Sequence, residues 1–176
     1  MNLHTARLVL REFESADVAS VLAYQSDPRY LQHSPWTSRS ETDARDFVEM
    51  LVRWISEEPR TRFQLAVTRD GVLIGNCGVR KLDGGSFDAE YGCELAPAAW
   101  GRGYAEEASR ALLSFAFASL NVRSIVANTT RGNSQAIALA SRLGFREEVE
   151  RRQDGQIVSE PDETMVLVLH SREWKL

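Results

Sequence analysis

One stretch decides the fold: Glu94-Leu95-Ala96-Pro97-Ala98-Ala99-Trp100-Gly101-Arg102-Gly103-Tyr104-Ala105-Glu106-Glu107-Ala108, in which a strand-like run meets a glycine loop that opens into a helical pattern. Backbone N–H groups of the loop and the first helical turn have no partner within the helix, and the helix dipole adds about half a positive charge there. Gly101 and Gly103 let the backbone approach a ligand closely. The stretch therefore predicts a phosphate-binding loop.

Length and charge limit the classes of protein. The 176 residues are 43% hydrophobic and 26% charged, which suits a single domain over residues 1–176 with its own core. The net charge is −4 and no Lys/Arg block occurs, so nucleic acid is not an expected partner. No apolar run reaches the length of a membrane span and the N-terminus lacks a signal-peptide pattern. We therefore expect a cytoplasmic location and no membrane partner.

Metal binding is not expected. Cys77 and Cys93 lack the spacing of metal ligands, and the three histidines are scattered along the chain. Both cysteines are typical of small core residues.

Hydrophobic periodicity before the glycine loop predicts a strand, two helices and three antiparallel strands joined by tight turns. The predicted strands span 7–13, 63–67, 72–79 and 87–95. The first helix takes Ser15 as its N-cap and ends near Asp27-Pro28, and the second starts at Ser40. A loop over 30–38, which carries Trp36, separates the two helices.

After the glycine loop the pattern predicts a buried helix over 105–117, a strand, a short helix and two final strands. These strands span 122–128, 145–152 and 163–170. Asn133-Ser134 suits the start of the short helix, and Gly144 suits its left-handed C-cap. A strand, a helix and a strand around the loop make 87–95 and 123–128 candidate parallel neighbours. The order of elements indicates an α+β fold with one embedded β-α-β unit.

Other glycine-loop motifs do not fit the chain. A dinucleotide fingerprint needs a third glycine where Glu106 stands, and an acidic residue where Asn128 ends the next strand. The strings of a Walker P-loop and of a Gly-x-Ser-x-Gly nucleophile elbow do not occur.

The motifs together resemble the GCN5-related N-acetyltransferases (GNAT), and within them the branch of ribosomal-protein alanine and serine N-acetyltransferases. The resemblance covers nearly the whole chain. It rests on Thr5-Ala6-Arg7-Leu8-Val9-Leu10-Arg11, Ala89-Glu90-Tyr91-Gly92, Trp100 through Ala108, Asn133-Ser134 and Leu143-Gly144-Phe145. It implies a mixed, mostly antiparallel sheet with helices on both faces and a central parallel strand pair that splays apart to hold acetyl-CoA.

The resemblance also implies the residues that bind acetyl-CoA. The pantetheine arm would pair with Glu94 and Leu95 like an added strand, and Asn133 would hold it from the other side. The pyrophosphate would lie on the backbone amides of Arg102, Gly103, Tyr104 and Ala105. Trp100 departs from the Gln or Arg of the wider family, and we interpret it as a packing anchor for the loop.

Acetyl transfer needs a neutral amine, so the pKa of the acceptor decides how much base catalysis is required. An α-amine is about one-tenth neutral at pH 7, far more than a lysine side chain, which favours a protein N-terminal α-amine as acceptor. Glu90 and Glu94 are the candidate catalytic bases, because residues four apart on a strand share a face. Either glutamate fits. Trp36 is the candidate acceptor-binding residue, by position in the resembled family, and the alternative interpretation of this aromatic residue is a lid over the core.

A general acid for the departing thiolate is missing at both positions that the resemblance indicates, which hold Ala140 and Ala136. A CoA thiol leaves tolerably without one. The backbone N–H near Leu95 is the group we expect to polarise the thioester. No cysteine or Ser-His pair is placed as a nucleophile, which favours direct attack by the amine.

Two other functions stay open. One is acetylation of a small amine or amino acid, and the other is a non-catalytic acyl-CoA-binding module that regulates a partner. Asp162 and Glu163 near the final hairpin could meet a cationic substrate, although a solvated loop is the simpler interpretation. Edge strands near the end of the chain make a homodimer plausible.

Overall fold

The computed structural model describes residues 1–83, 88–148, 151–153, 156–158 and 164–175. Its strands are β1 Asn2–His4, β2 Val9–Arg11, β3 Arg62–Arg69, β4 Val72–Lys81, β5 Ala89–Leu95, β6 Ser124–Thr130, β7 Arg146–Glu147, β8 Arg151–Gln153, β9 Gln156–Val158 and β10 Thr164–His170. Its helices are α1 Val18–Gln25, α2 Pro28–Leu31, α3 Glu41–Ile55, α4 Tyr104–Ser119 and α5 Ser134–Leu143.

Eight strands form one sheet in the hydrogen-bonded order β1-β2-β3-β4-β5-β6-β10-β7, and β8 pairs with β9 separately. The β5–β6 pair is parallel, with Ala89 opposite Ile125 and Glu90 opposite Val126 at the start of β5. The flanking β6–β10 pair is antiparallel over the full length of β10. The predicted α+β fold with a parallel pair inside a mostly antiparallel sheet is confirmed.

The chain divides into two compact units, of which the first comprises residues 1–78 and 93–112. Its amphipathic helix α3 buries Ala44, Val48 and Leu51 in a core shared with Phe13 and Val21. Ser40 caps this helix as predicted, because its hydroxyl accepts from the N–H of Asp43 while the Asp43 carboxylate accepts from the Ser40 N–H. The first unit also holds the glycine loop and the start of α4.

The second unit comprises residues 79–92 and 113–176. Val126, Val166 and Val168 form a buried cluster where β6 and β10 pair. The predicted ends of α5 are confirmed: the Asn133 side chain accepts from the N–H of Ala136, and Gly144 closes the helix with φ 92.

Three local predictions were wrong. Strand β1 was not predicted, since three residues carry too little periodicity. The predicted 30–38 loop overlaps α2, which Asp27 caps by accepting from the N–H of Arg29. Ser15 is not the N-cap, because Glu14 caps a 3₁₀ turn over Ser15–Asp17 that leads into α1. Asp162 and Glu163, which could meet a cationic substrate, lie outside the described residues.

Candidate active site

The glycine loop precedes α4 and presents its backbone openly. Gly101 and Gly103 have φ 72 and 78, in the left-handed region that favours glycine. The N–H of Glu107 donates the first helical hydrogen bond, to the Gly103 carbonyl at 3.1 Å, so the amides before it stand ahead of the helical ladder. A Cβ placed on Gly101 would meet no described atom within 4 Å, and one on Gly103 would meet only the Arg7 guanidinium, at 3.4 Å. This open cradle of amides fits a diphosphate.

The N-terminal segment fastens the start of α4. Glu107 accepts from the Thr5 hydroxyl at 2.6 Å, from the Arg7 N–H at 2.8 Å and from Arg7 Nε at 2.6 Å. Arg7 Nη1 donates to the carbonyl of Arg102 at 3.0 Å. Burial by itself would raise the pKa of Glu107, but the hydrogen bonds from Thr5 and Arg7 outweigh it and lower that pKa. The Glu107 carboxylate is thereby bound to Arg7 and Thr5.

Trp100 ties the end of β5 to the loop. Its indole Nε1 donates to the carbonyl of Leu95 at 2.7 Å, and its ring lies 6.3 Å from that of His33. This contact agrees with the interpretation of Trp100 as a packing anchor, because the indole links the residues on either side of the Pro97–Ala99 turn.

The Glu94 carboxylate is the centre of a polar network in the first unit. Oε1 accepts from Tyr24 Oη at 2.7 Å, from Gln25 Nε2 at 3.1 Å and from Asn76 Nδ2 at 2.6 Å. Oε2 accepts from Tyr30 Oη at 2.5 Å. All four donors are neutral, and none of the ion pairs found among the described residues includes Glu94. The network thus holds an anion to which no cation of the described residues is bound.

The four donors are themselves buried, whereas Glu94 is partly exposed. Their exposed fractions are 4% for Tyr24, 0% for Gln25, 8% for Tyr30 and 2% for Asn76. Burial raises the pKa of both tyrosines, and the charge of Glu94 raises these pKa values further. Both hydroxyls therefore stay protonated at neutral pH and serve as hydrogen-bond donors to Glu94.

Trp36 belongs to the same network. Trp36 is 39% exposed, and the Arg39 guanidinium lies 4.4 Å from the centre of its ring. Arg39 Nε also donates to Gln25 Oε1 at 3.0 Å. Gln25 in turn donates to Glu94. The structure therefore links the candidate acceptor residue Trp36 to the candidate base Glu94 through two side chains.

Glu90 has different surroundings, in the second unit. Its Oε2 lies 3.3 Å from Arg80 Nη2, and its Oε1 accepts from Asn128 Nδ2 at 3.4 Å. The space beside Gly92 is also next to Arg80, whose Nη2 would lie 3.8 Å from a Cβ placed there. Glu90 is thus paired with a cation, unlike Glu94.

Helix α5 of the second unit carries the other positions that the sequence indicated. Asn133 uses its side-chain oxygen to cap the helix, which leaves its amide NH₂ as the group that can be offered to a ligand. Ala140 is buried on the same helix and, like Ala136, brings no acid.

Several network residues were not predicted as functional. Tyr24, Gln25 and Asn76 come from α1 and β4, where sequence periodicity indicates core positions. The available signal was polarity: Asn76 is a polar residue inside an apolar run, and Gln25 directly follows one. Buried amides of this kind need hydrogen-bond partners, which here include Glu94.

No helix of the described residues has both the length and the hydropathy that crossing a membrane requires. The described residues also contain no cluster of three or more His, Cys, Asp or Glu side chains arranged to hold a metal ion.

The model of the acetyltransferase (GNAT) domain matches residues 7–146, which is most of the chain. The chain belongs to the GNAT acetyltransferases. This acetyltransferase is 35% identical over 149 residues to the uncharacterized N-acetyltransferase p20 of Bacillus licheniformis, with 83% of each chain covered. The predicted family and the predicted enzyme class, an N-acetyltransferase, are confirmed.

Solved structures show the same fold. The acetyltransferase is similar to the ribosomal-protein-S5-alanine acetyltransferase of Vibrio fischeri, with a TM-score of 0.77, 17% identity and 100% of both chains covered. It is also similar to RimJ of Mycobacterium smegmatis in complex with CoA-disulfide, with a TM-score of 0.76, 17% identity, and 98% and 87% covered. At these identities the likeness concerns the fold.

Proposed function

We propose that this acetyltransferase transfers the acetyl group of acetyl-CoA to a primary amine by direct attack, with a protein N-terminal α-amine as the preferred acceptor. One observation carries the proposal: Glu94 is a partly exposed carboxylate with four neutral donors and no cation among the described residues. An anion prepared in this way is a receptor for a protonated amine.

Acetyl-CoA would bind through its diphosphate at the open glycine loop. The proposed contacts are the backbone amides of Arg102, Gly103, Tyr104 and Ala105. The backbone carbonyl of Leu95 already accepts a hydrogen bond from Trp100. We therefore assign the backbone N–H of Leu95 to the pantetheine arm or the thioester oxygen. The amide NH₂ of Asn133, whose oxygen caps α5, is a further donor that we assign to the pantetheine arm.

The reaction takes two protons from the nitrogen of a protonated amine and breaks one bond in the thioester. The amine lone pair attacks the carbonyl carbon, the C–N bond forms, and the C–S bond breaks with its electrons on the CoA sulfur. Glu94 receives the first proton from the ammonium, directly or through a water molecule, and passes it to solvent. The second proton leaves the nitrogen by the same route after the C–N bond has formed. The raised pKa values of Tyr24 and Tyr30 make them weak acids, and both hydroxyls donate to Glu94, so we propose that CoA leaves as the thiolate.

The acceptor is proposed from amine chemistry. An α-amine with a pKa near 8 needs little help to reach its neutral form at pH 7, whereas a lysine side chain needs a stronger base. The name of the Vibrio fischeri neighbour, a ribosomal-protein alanine acetyltransferase, supports the same class of acceptor. Trp36 would contact the acceptor, since it is exposed and joined to Glu94 through Arg39 and Gln25.

The test is an acceptor screen with acetyl-CoA and purified protein, which measures CoA release and locates the acetyl group by mass spectrometry. The panel contains peptides that begin with Ala, Ser or Met, the same peptides with blocked N-termini and an internal lysine, and small amines and amino acids. Acetylation of free peptide N-termini supports the proposal. Turnover of small amines only would favour the small-molecule alternative, and binding of acetyl-CoA without any turnover would favour a non-catalytic module.

A further inference from the structure

Two buried amide groups face the Glu94 carboxylate, and both must present their NH₂ ends. Gln25 Nε2 and Asn76 Nδ2 each donate to Glu94 Oε1. An amide turned by 180° would place its carbonyl oxygen against the carboxylate, and the attraction would become repulsion. The two side chains are 0% and 2% exposed, so water cannot compensate for a turned amide. Other residues must therefore decide the orientation.

Arg39 decides the orientation of Gln25. Arg39 Nε donates to Gln25 Oε1 at 3.0 Å, and a guanidinium can only donate, so the carbonyl end of Gln25 must face it. Arg39 is held in place by the Trp36 ring at 4.4 Å and by its Nη2, which donates to the Asp43 carbonyl at 3.3 Å. The NH₂ end of Gln25 is then left to face Glu94.

Gln64 presents its NH₂ end to the carbonyl end of Asn76. Gln64 Nε2 donates to Asn76 Oδ1 at 2.5 Å, which turns Asn76 Nδ2 toward Glu94 and toward Tyr24 Oη, 2.9 Å away. The Gln64 side chain lies directly against the backbone of Gly78, where a Cβ would overlap its Oε1 and Cδ atoms. Gly78 thus leaves the space that Gln64 occupies.

We propose that Arg39 and Gln64 are positioning residues of the acceptor site, which act through Gln25 and Asn76. They keep three donors on Oε1 of Glu94 against a single donor on Oε2. The acceptor amine therefore approaches Oε2, the carboxylate oxygen that can still accept further hydrogen bonds. This inference rests on the proposed role of Glu94 in acetyl transfer.

Gln64 offers a test in which positioning and packing predict opposite results. Gln64→Glu keeps the shape but presents only acceptors, so Asn76 turns its carbonyl toward Glu94; Gln64→Leu removes the donor without forcing the turn. We expect kcat/KM for the amine to fall roughly tenfold further in Gln64→Glu than in Gln64→Leu, with an unchanged Kd for acetyl-CoA. We also expect the Gln64→Glu loss to lessen at acidic pH, where the new carboxyl is protonated. A loss in Gln64→Leu equal to or larger than that in Gln64→Glu would overturn the proposal for Gln64.

Arg39 is tested by a double-mutant cycle with Gln25. Arg39→Met should lower kcat/KM for the amine roughly tenfold, and Arg39→Lys, which retains a donor, should recover most of it. In a Gln25→Met background, Arg39→Met should have little further effect, because its partner amide is gone. The same loss in both backgrounds would show that Arg39 acts independently of Gln25 and would overturn its proposed role.

The controls separate this inference from the function on which it rests. Arg53→Met, on the exposed side of α3, removes the same charge from an ion pair with Glu49 outside the network and should leave kcat/KM unchanged. If Glu94→Gln is impaired while Gln64→Glu and Arg39→Met behave like the wild type, the positioning roles fail and the function stands. If Glu94→Gln also behaves like the wild type, the proposed function itself fails.

Discussion

The indole of Trp100 donates a hydrogen bond of 2.7 Å to the carbonyl oxygen of Leu95. Leu95 ends β5, and Trp100 lies immediately before Gly101 of the glycine loop. One side chain thus holds together the strand end that we assign to the pantetheine arm and the loop that we assign to the diphosphate.

Trp100→Phe keeps the ring packing but removes this hydrogen bond. We expect a loss of about 1 kcal/mol in the free energy of unfolding and a KM for acetyl-CoA raised roughly threefold to tenfold. The KM for the amine should change little. Urea unfolding and steady-state kinetics measure these values, with Trp54→Phe on α3 as the control substitution. Equal effects on both KM values would count against a role specific to the donor.

Gly103→Glu should weaken acetyl-CoA binding by on the order of tenfold or more. The new side chain must adopt φ 78, it fills the open cradle, and its charge repels phosphate. Isothermal titration with acetyl-CoA measures the effect. Gly103→Ala reports the backbone strain alone, and Gly71→Glu adds the same charge at an exposed glycine outside the glycine loop, whose φ is 79. An unchanged Kd in Gly103→Glu would refute the assignment of this loop.

The tyrosine network predicts a loss of stability at alkaline pH. The folded protein raises the pKa of Tyr24 and Tyr30 above the value of about 10 found in unfolded chains, so it holds these protons more tightly. This contribution is complete below pH 10 and is lost as the pH rises from there toward the folded values. Urea unfolding between pH 8 and pH 11 should therefore show a falling free energy. The fall should be shallower in Tyr24→Phe than in the wild type; equal slopes in the two proteins would contradict it.

The long elements could be predicted because each carries several turns or alternations of hydrophobic pattern. Helix α3 shows this best, since Ser40 and the spacing of its apolar residues mark both its start and its buried face. Helix α2 was not predicted, because Asp27-Pro28 was interpreted only as the end of the preceding helix. Asp followed by Pro also suits the start of another, with Asp as N-cap and Pro at the first position.

The site could be predicted only where one segment contains it. The glycine loop is continuous in sequence, whereas the Glu94 network draws on α1, α2, the residues before α3, and three strands. Glu94 was identified as a candidate from its strand position. Its four neutral donors, and the pairing of Glu90 with Arg80, depend on tertiary contacts that no local pattern encodes.

The most direct measurement is the steady-state rate of Glu94→Gln beside that of Glu90→Gln, with a peptide that carries a free N-terminus as acceptor. Glu94→Gln keeps the size of the side chain and removes the anion that would bind the amine and take its proton. We predict that kcat/KM for the peptide falls roughly 100-fold in Glu94→Gln and less than about tenfold in Glu90→Gln, with an unchanged Kd for acetyl-CoA in both. Wild-type kcat/KM in Glu94→Gln, or a larger loss in Glu90→Gln, would contradict the assignment of Glu94 as the carboxylate of the acceptor site.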